Sequence, residues 1–529
     1  MTSEAPFSIS ADSRLLAAHF CASDRLAEHD AAMAAIERSP ATRMFQEAIQ
    51  AYGGVELHRH LEGSLNVYDL WLVVQDLEQT LGLSFDFTKE TWIELARIMN
   101  GETVDRSKQN AYFPAFLNRL ATPGLRTIYE KTILAADRWN EDIDSGMKKG
   151  EKRHHLGETS YIIMKAVCRR ALDKAYEEGL RVYEMMASPL AMIREGNLLI
   201  GAPKEHASIE EFDHVYFEWE QRTQPSELGV KTIDPEQLLS LETYVLAFWG
   251  AVAERPDRYV MWGGETEGDT RMKVGIRLCL RREQLPESCL LNIPNPDNPN
   301  HQMLSATGVD MIHRMIHLYS AGLITGVNIG GDESKERYLL KNFSVALKML
   351  KQSGVSITVH AGETTDANRH IALKNLIYAI KVLKADRIGH AKQLFDGSPA
   401  MNLLLQLMIE HPEEYPSCIE ANIFSNFELM LIGKIIEHPI LRARGNELFQ
   451  SPAGMRFLDE RIYLSTDDPN LTALGIDMVK VIEGEEMAPI DNRPLAKELA
   501  IVALFGTYLD RFEYPVRYMQ DAMHRAKHL

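Results

Sequence analysis

The chain has 529 residues, 45% of them hydrophobic and 25% charged, which is the composition of a globular protein with a sizeable buried core. Its formal net charge of −18 repels phosphate backbones and argues against nucleic acid as a partner, though not against a small anionic ligand in a locally basic pocket. No uninterrupted apolar run approaches the roughly 18 residues of a membrane span, so no membrane partner is expected.

Residues Met1–Asp12 are polar and acidic and lack the apolar segment of a secretory leader. Cys21, Cys168, Cys279, Cys289 and Cys418 are scattered, with no CxxC pair, as suits reduced thiols. Both features give a cytoplasmic expectation. Residues 10–50 carry apolar side chains at helical spacing (Leu15, Leu16, Phe20; Met33, Ile36; Met44, Phe45, Ile49) and end at Gly53-Gly54. Residues 1–50 therefore read as a helical extension that packs on the core or forms a homo-oligomer.

Eight short apolar segments follow, each ending in small or polar residues: Gly54–His58, Arg181–Met186, Lys273–Leu280, Ile324–Ile329, Ser356–His360, Asp386–His390, Ser417–Asn422 and Arg461–Thr466. Helical patterns lie between them, among them Ile162–Glu178, Val309–Ser320, Glu336–Lys351, Asn368–Lys384 and Met401–His411. Strands alternating with helices give parallel βα units, and eight of them fit an α/β fold of the TIM (β/α)₈ type over residues 51–529. The early connections are long. Insertions are expected near 140–158, where Asn140–Glu158 reads as a charged loop, near 194–234, and at the proline-rich 285–300. The basic run Lys148–His155 offers a phosphate contact or, more ordinarily, a solvated face.

Polar residues gather at the ends of these strands, where such a barrel carries its site. They fall into five groups: His58-Arg59-His60-Leu61-Glu62-Gly63, Val359-His360-Ala361-Gly362-Glu363, Arg387-Ile388-Gly389-His390, Ser465-Thr466-Asp467-Asp468-Pro469 and Gly330-Gly331-Asp332-Glu333. Residues i and i+2 of a strand share a face, so His58 and His60 aim two imidazoles at one point. A borderline-soft divalent ion takes imidazole nitrogens and carboxylate oxygens. His58, His60 and His360 supply the first and Asp467 the second. Water on such an ion has its pKa lowered from about 15.7 to about 7. Glu363, three residues past His360, is placed to act as an acid, and His390, on the next strand, to orient the water. Asp468 follows a ligand and so diverges toward substrate. Each group alone has a plain structural reading: a hydrogen-bonded strand-end histidine, an Asp-Asp-Pro helix cap, a Gly-Gly turn.

Taken in order, HxH, HAGE, GH and TDDP resemble the adenosine/adenine deaminase family of the metal-dependent amidohydrolases, over roughly residues 52–480. The resemblance implies hydrolytic deamination of adenosine or a close 6-aminopurine nucleoside, with one Zn²⁺ on His58, His60, His360 and Asp467. It makes Glu363 the acid that protonates ring N1 and His390 the residue that orients the water attacking C6. It puts Asp468 at N7, the Gly331 backbone N–H at N3, and Glu62 beside the ribose or its replacement. Tyr112-Phe113-Pro114-Ala115-Phe116-Leu117 resembles an apolar lid over the substrate, with Phe116 facing it, or else is ordinary core.

Three positions depart from the family pattern. Glu62 stands where adenosine deaminases have Asp, Met186 where an Arg is usual, and Asn422-Ile423 where a Cys-Pro is usual. The first leaves adenine, AMP and modified adenosine open as substrates. A catalytically silent purine-binding protein is the reading from another class. A cytidine-type deaminase is excluded, because its zinc site needs a CxxC that this chain lacks.

Overall fold

The computed structural model describes residues 36–82, 87–99, 149–187, 241–264, 269–282, 290–296, 298–331, 333–428, 435–467, 494–505 and 515–525. Eight parallel strands follow one another around a ring in chain order: β1 (Gly54–His60), β2 (Leu180–Ala187), β3 (Met272–Arg281), β4 (Gly326–Gly330), β5 (Ile357–Ala361), β6 (Arg387–His390), β7 (Cys418–Ala421) and β8 (Ile462–Leu464). Each pairs in parallel with the next. The ring is closed just beyond β8. His60 N–H donates to Asp467 O and Asp467 N–H donates to His58 O, both at 2.8 Å, in a parallel bridge. This is the expected (β/α)₈ barrel, and its seam lies at three of the proposed ligands, His58, His60 and Asp467.

The strands are buried on both faces, as parallel strands covered by helices must be. Along β5, His360 and Thr358 face the lumen, so Val359 and Ala361 face the helices by the two-residue period. The lumen holds charge. Glu184 on β2 meets Arg387 on β6, a contact that only the interior of the ring can carry. Arg277 Nε donates to the same Glu184 Oε2 at 2.9 Å, and Arg387 Nη1 reaches Glu420 Oε1 at 2.8 Å. The two guanidinium groups outweigh the burial penalty and hold the Glu184 carboxyl down at about 2.

Helix ends follow their sequence signals. Ser39 accepts from Thr42 N–H at 3.1 Å ahead of Pro40 at the start of Pro40–Tyr52, and Gly53 (φ 93°) ends that helix. Asn66 and Asp69 form a reciprocal capping box, each bond 2.9 Å, at the start of Val67–Leu81. Asp69 also binds Lys174 Nζ at 2.6 Å and Arg170, which tie that helix to Lys149–Glu177.

The described part of the N-terminal extension, the helix Pro40–Tyr52, packs against Pro494–Phe505 and Pro515–Arg525 of its own chain, with Phe45 and Ile49 buried. Several expectations are corrected. Residues 149–158, read as loop, are helical and begin Lys149–Glu177. The pattern over Glu336–Lys351 divides into two 3₁₀ turns and the helix Ser344–Gln352. Asn368–Lys384 ends in a π-helical turn, Tyr378–Leu383, and Lys384 leaves it at φ 50°. The expected irregular stretch 285–300 contains the start of an antiparallel hairpin, Ile293–Asn295 with Asn298–Met303. A short strand, Tyr259–Met261, adds to the outside of β3. Among the described residues no helix is long and apolar enough to cross a membrane.

Candidate metal centre and active site

Four imidazoles meet at the C-terminal mouth of the barrel. His58 lies 5.3 Å from His60, 4.7 Å from His360 and 5.2 Å from His390 between ring centroids, and His360 lies 4.6 Å from His390. Asp467 completes the group across the seam. Its Oδ1 is 3.3 Å from His60 Nε2 and 3.5 Å from His58 Nε2, and its Oδ2 is 3.7 Å from His390 Nε2. Glu363 sits opposite, with Oε2 3.2 Å from His360 Nδ1 and Oε1 3.5 Å from His390 Nε2.

Backbone form explains how short strand ends reach one point. His390 (φ 64°), Ala391 (φ 47°) and Asp467 (φ 57°) are left-handed without being glycine. Such residues cost on the order of 1–3 kcal/mol each and persist where the surroundings impose them. Gly362 (φ 82°) makes the turn that brings Glu363 back over His360. Gly389 supplies space. A Cβ there would stand 2.6 Å from His58 Cε1 and 3.2 Å from His360 Cδ2. Arg59, on the opposite face of β1, leaves the site and pairs with Glu178 at 2.6 Å and 2.9 Å.

A ring of buried polar groups fixes the inner set. Glu420 Oε2 is 2.7 Å from His58 Nδ1, which leaves Nε2 for the centre. Asn328 Nδ2 is 3.1 Å from His360 Nε2, and Ser425 Oγ donates to Asp467 Oδ2. Glu333 accepts from Glu363 N–H and from Asn375 Nδ2, the latter at 2.9 Å. Glu56 accepts from Thr466 Oγ1 at 2.7 Å and so braces the residue before Asp467. Glu333 belonged to a group singled out by sequence. Glu420, Asn328 and Asn375 carried no local signal, because their importance lies in which strand end they face.

The electrostatics favour a cation. Burial opposes charge on His58, yet the Asp467 and Glu420 carboxylates outweigh it and push its pKa up to about 10. Burial and neighbouring imidazoles drive His360 well below its ordinary value, and burial takes His390 to about 4. Burial, with Asp467 and Glu333 nearby, raises the Glu363 carboxyl well above the usual range. His390 and the other histidines hold Asp467 low against its burial.

This donor set fits a divalent ion. His58, His60 and His360 offer ligand atoms within 4.8 Å of one another, as do His58, His390 and Asp467. His58 Nε2, His390 Nε2 and Asp467 Oδ1 are buried without hydrogen bonds and point into the shared space. Binding an ion would replace the proton that the two carboxylates hold on His58. His360 has partners at both ring nitrogens, and ligation would replace one of those contacts.

Gly331 follows β4 at φ 86°. The Glu62 backbone lies in the helical turn Leu61–Ser64, which leaves β1. Asp468 and Phe116 lie outside the described residues. Met186, at the position usual for Arg, is buried in β2, and Asn422 is buried after β7.

Residues 301–481 match the family model described as adenosine deaminase. Over this segment the chain is similar to the adenosine deaminase family. The segment contains His360, Glu363, His390 and Asp467 but not His58 or His60. The chain is 28% identical over 160 residues to the adenosine deaminase of Clostridium perfringens strain SM101, covering 30% of this chain and 39% of that one. It is 29% identical over 181 residues to that of Clostridium acetobutylicum, covering 33% and 48%. These matches therefore span less than half the length of the curated relatives. The fold is also similar to that of an adenine deaminase from Arthrobacter aurescens, with 14% identity, a TM-score of 0.44, and 89% of this chain and 98% of that one covered.

Proposed function

We propose that the protein is a metal-dependent aminohydrolase that converts adenosine, or a close 6-aminopurine nucleoside, to inosine and ammonia. The observation that carries this reading is the convergence of four histidines, Asp467 and Glu363 at one barrel mouth, with His58 Nε2 and Asp467 Oδ1 buried without hydrogen bonds. His58, His60, His360 and Asp467 would hold the ion, for which Zn²⁺ suits the imidazole-rich donors. When bound, it would supply a water acidified to a pKa of about 7.

The chain's own residues do the rest. In the reaction, oxygen from water replaces the exocyclic amine at C6 and ammonia leaves. Glu363, whose carboxyl is raised well above the usual range by burial and by Asp467 and Glu333 nearby, delivers a proton to ring N1 as the C6 position becomes tetrahedral. His390 aligns the attacking water and stabilises the forming charge. Gly331 N–H and Asp468 are assigned to N3 and N7, Glu62 to the sugar side and Phe116 to the apolar cover. Burial of the pocket excludes bulk water from the reacting centre.

Glu62 favours a second reading on the same site, with adenine, AMP or a modified adenosine as substrate, because the longer carboxylate moves the contact that meets the sugar. A panel of adenosine, adenine, AMP and N6-modified adenosine, followed by the ultraviolet change on loss of the 6-amino group, decides between them. Preference for adenosine supports the first reading. Turnover of another member alone would replace it with the second. Metal-replete protein that binds purines and turns over none would be the silent purine-binding protein.

A further inference from the structure

Behind His390 a short chain of buried polar groups leads away from the centre, and none of it takes part in the chemistry above. His390 Nδ1 lies 3.1 Å from the Asn426 amide arm placed as Oδ1. The arm placed as Nδ2 lies 2.9 Å from His438 Nε2. His438 Nδ1 lies 3.3 Å from Ile440 N, at the start of the 3₁₀ turn Pro439–Gly445. Pro439 has no N–H, so Ile440 offers the first free donor of that turn. His390, Asn426 and His438 are all fully buried.

One member of this chain has no choice of polarity. A backbone N–H only donates, so His438 Nδ1 accepts and carries no proton. A neutral imidazole has one proton, which must then sit on His438 Nε2. That N–H needs an acceptor, so the Asn426 carbonyl oxygen faces His438. Were the oxygen turned toward His390 instead, His438 would have to accept at both nitrogens, which a neutral ring cannot do. The two amide arms are alike in shape, so the network assigns the oxygen, and it turns the Asn426 amide over from its placed orientation. The Asn426 NH₂ consequently faces His390 and donates to its Nδ1. The His390 proton is left on Nε2, the atom 3.5 Å from Glu363 Oε1 and 3.7 Å from Asp467 Oδ2.

We propose that Ile440 N–H, acting through His438 and Asn426, fixes His390 with its proton on Nε2, so that it meets the reacting oxygen as a hydrogen-bond donor. Asn426 and His438 are thus positioning residues. They set a direction of donation that geometry alone would leave open, as an outer partner sets the tautomer of a metal-bound histidine. The inference rests on the deaminase reading for its consequence but not for the proton's position.

The test is long-range ¹H–¹⁵N correlation spectroscopy of the zinc-loaded full chain with ¹⁵N-labelled histidine, the His390 signals being identified by their loss in His390→Gln. The expected spectrum is that of a neutral ring protonated on Nε2. A ring protonated on Nδ1 would overturn the proposal. His438→Leu removes the donor to Asn426 and lets the amide turn. The Nδ1–H form of His390 should then appear, and kcat should fall on the order of tenfold or more while KM moves less than about threefold. His438→Gln keeps a donor toward Asn426 and should restore both the spectrum and kcat. An unchanged His390 tautomer in His438→Leu also overturns the relay. The spectrum is independent of turnover: an inactive protein with Nε2–H sinks the deaminase reading alone, and an active one with Nδ1–H sinks the relay alone.

Discussion

The two halves of the barrel reach the same centre by different means. From β5 to β8 the connections are compact, and His360, Glu363, His390 and Asp467 come from strand ends within the segment that matches the adenosine deaminase family. From β1 to β3 the connections are long, and the contribution to the centre is the pair His58 and His60 on a single strand. The second half holds His360, the proposed acid Glu363, the proposed water-orienting His390 and the Asp467 carboxylate. The first holds two imidazoles. The halves meet at the seam, where the Asp467 backbone bonds to His58 and His60 while its side chain faces their rings. Sequence likeness confined to one half therefore understates what the fold assembles.

The sharpest way to break this comparison is to remove one ligand from each half. His60→Ala and Asp467→Ala should both lose bound metal and drop turnover to background, measured by metal analysis and the adenosine assay. A His60→Ala protein that keeps its metal and rate would mean that the second half holds the site alone. Next in size, Glu363→Gln should keep the metal and lose about 10²–10⁴ in kcat, since it removes only the proton donor. Gly389→Ala tests the coupling between halves directly, because the new Cβ on β6 enters the space of the His58 ring on β1. Zinc affinity, read by chelator competition, should weaken on the order of 10–100-fold, the loss seen when an outer support of a ligand is disturbed. Unchanged affinity would show that His58 is held without that glycine.

The smallest expected effect lies deeper in the lumen. Glu184 has a folded pKa of about 2, below its ordinary 4.5, because Arg277 and Arg387 face it. Its stabilisation is present above pH 4.5 and is lost as pH falls toward 2. The wild-type chain should thus lose about 3 kcal/mol more stability over that window than Glu184→Gln, by denaturant unfolding at each pH. Equal slopes would remove Glu184 from the account of the lumen. At neutral pH Glu184→Gln should itself be less stable, since it leaves two buried guanidinium groups with one carboxylate fewer.

Much of this was readable from residues alone. All eight strands lie where apolar runs ended in polar residues, and HxH, HAGE, GH and the Asp467 position come together as their spacing implied. What sequence could not give was long-range. Nothing near Glu420 marks it as the partner of His58, 362 residues away, and nothing near His438 connects it to His390. Local periodicity also misread the basic stretch from residue 149, where a charged, glycine-containing run continues into the helix Lys149–Glu177 despite its weak propensity. The π turn at Tyr378–Leu383 leaves no periodic trace, since it alters the hydrogen-bond step and not the residue types.

Metal and chain together are proposed to deaminate a 6-aminopurine. Chelator-dialysed protein reloaded with graded Zn²⁺ and assayed on adenosine tests it most directly. The account predicts no turnover without metal and full conversion to inosine and ammonia as the zinc bound approaches one ion per chain. A metal-free protein that keeps its rate, or a zinc-loaded one that releases no ammonia from adenosine, adenine, AMP or N6-modified adenosine, would contradict it.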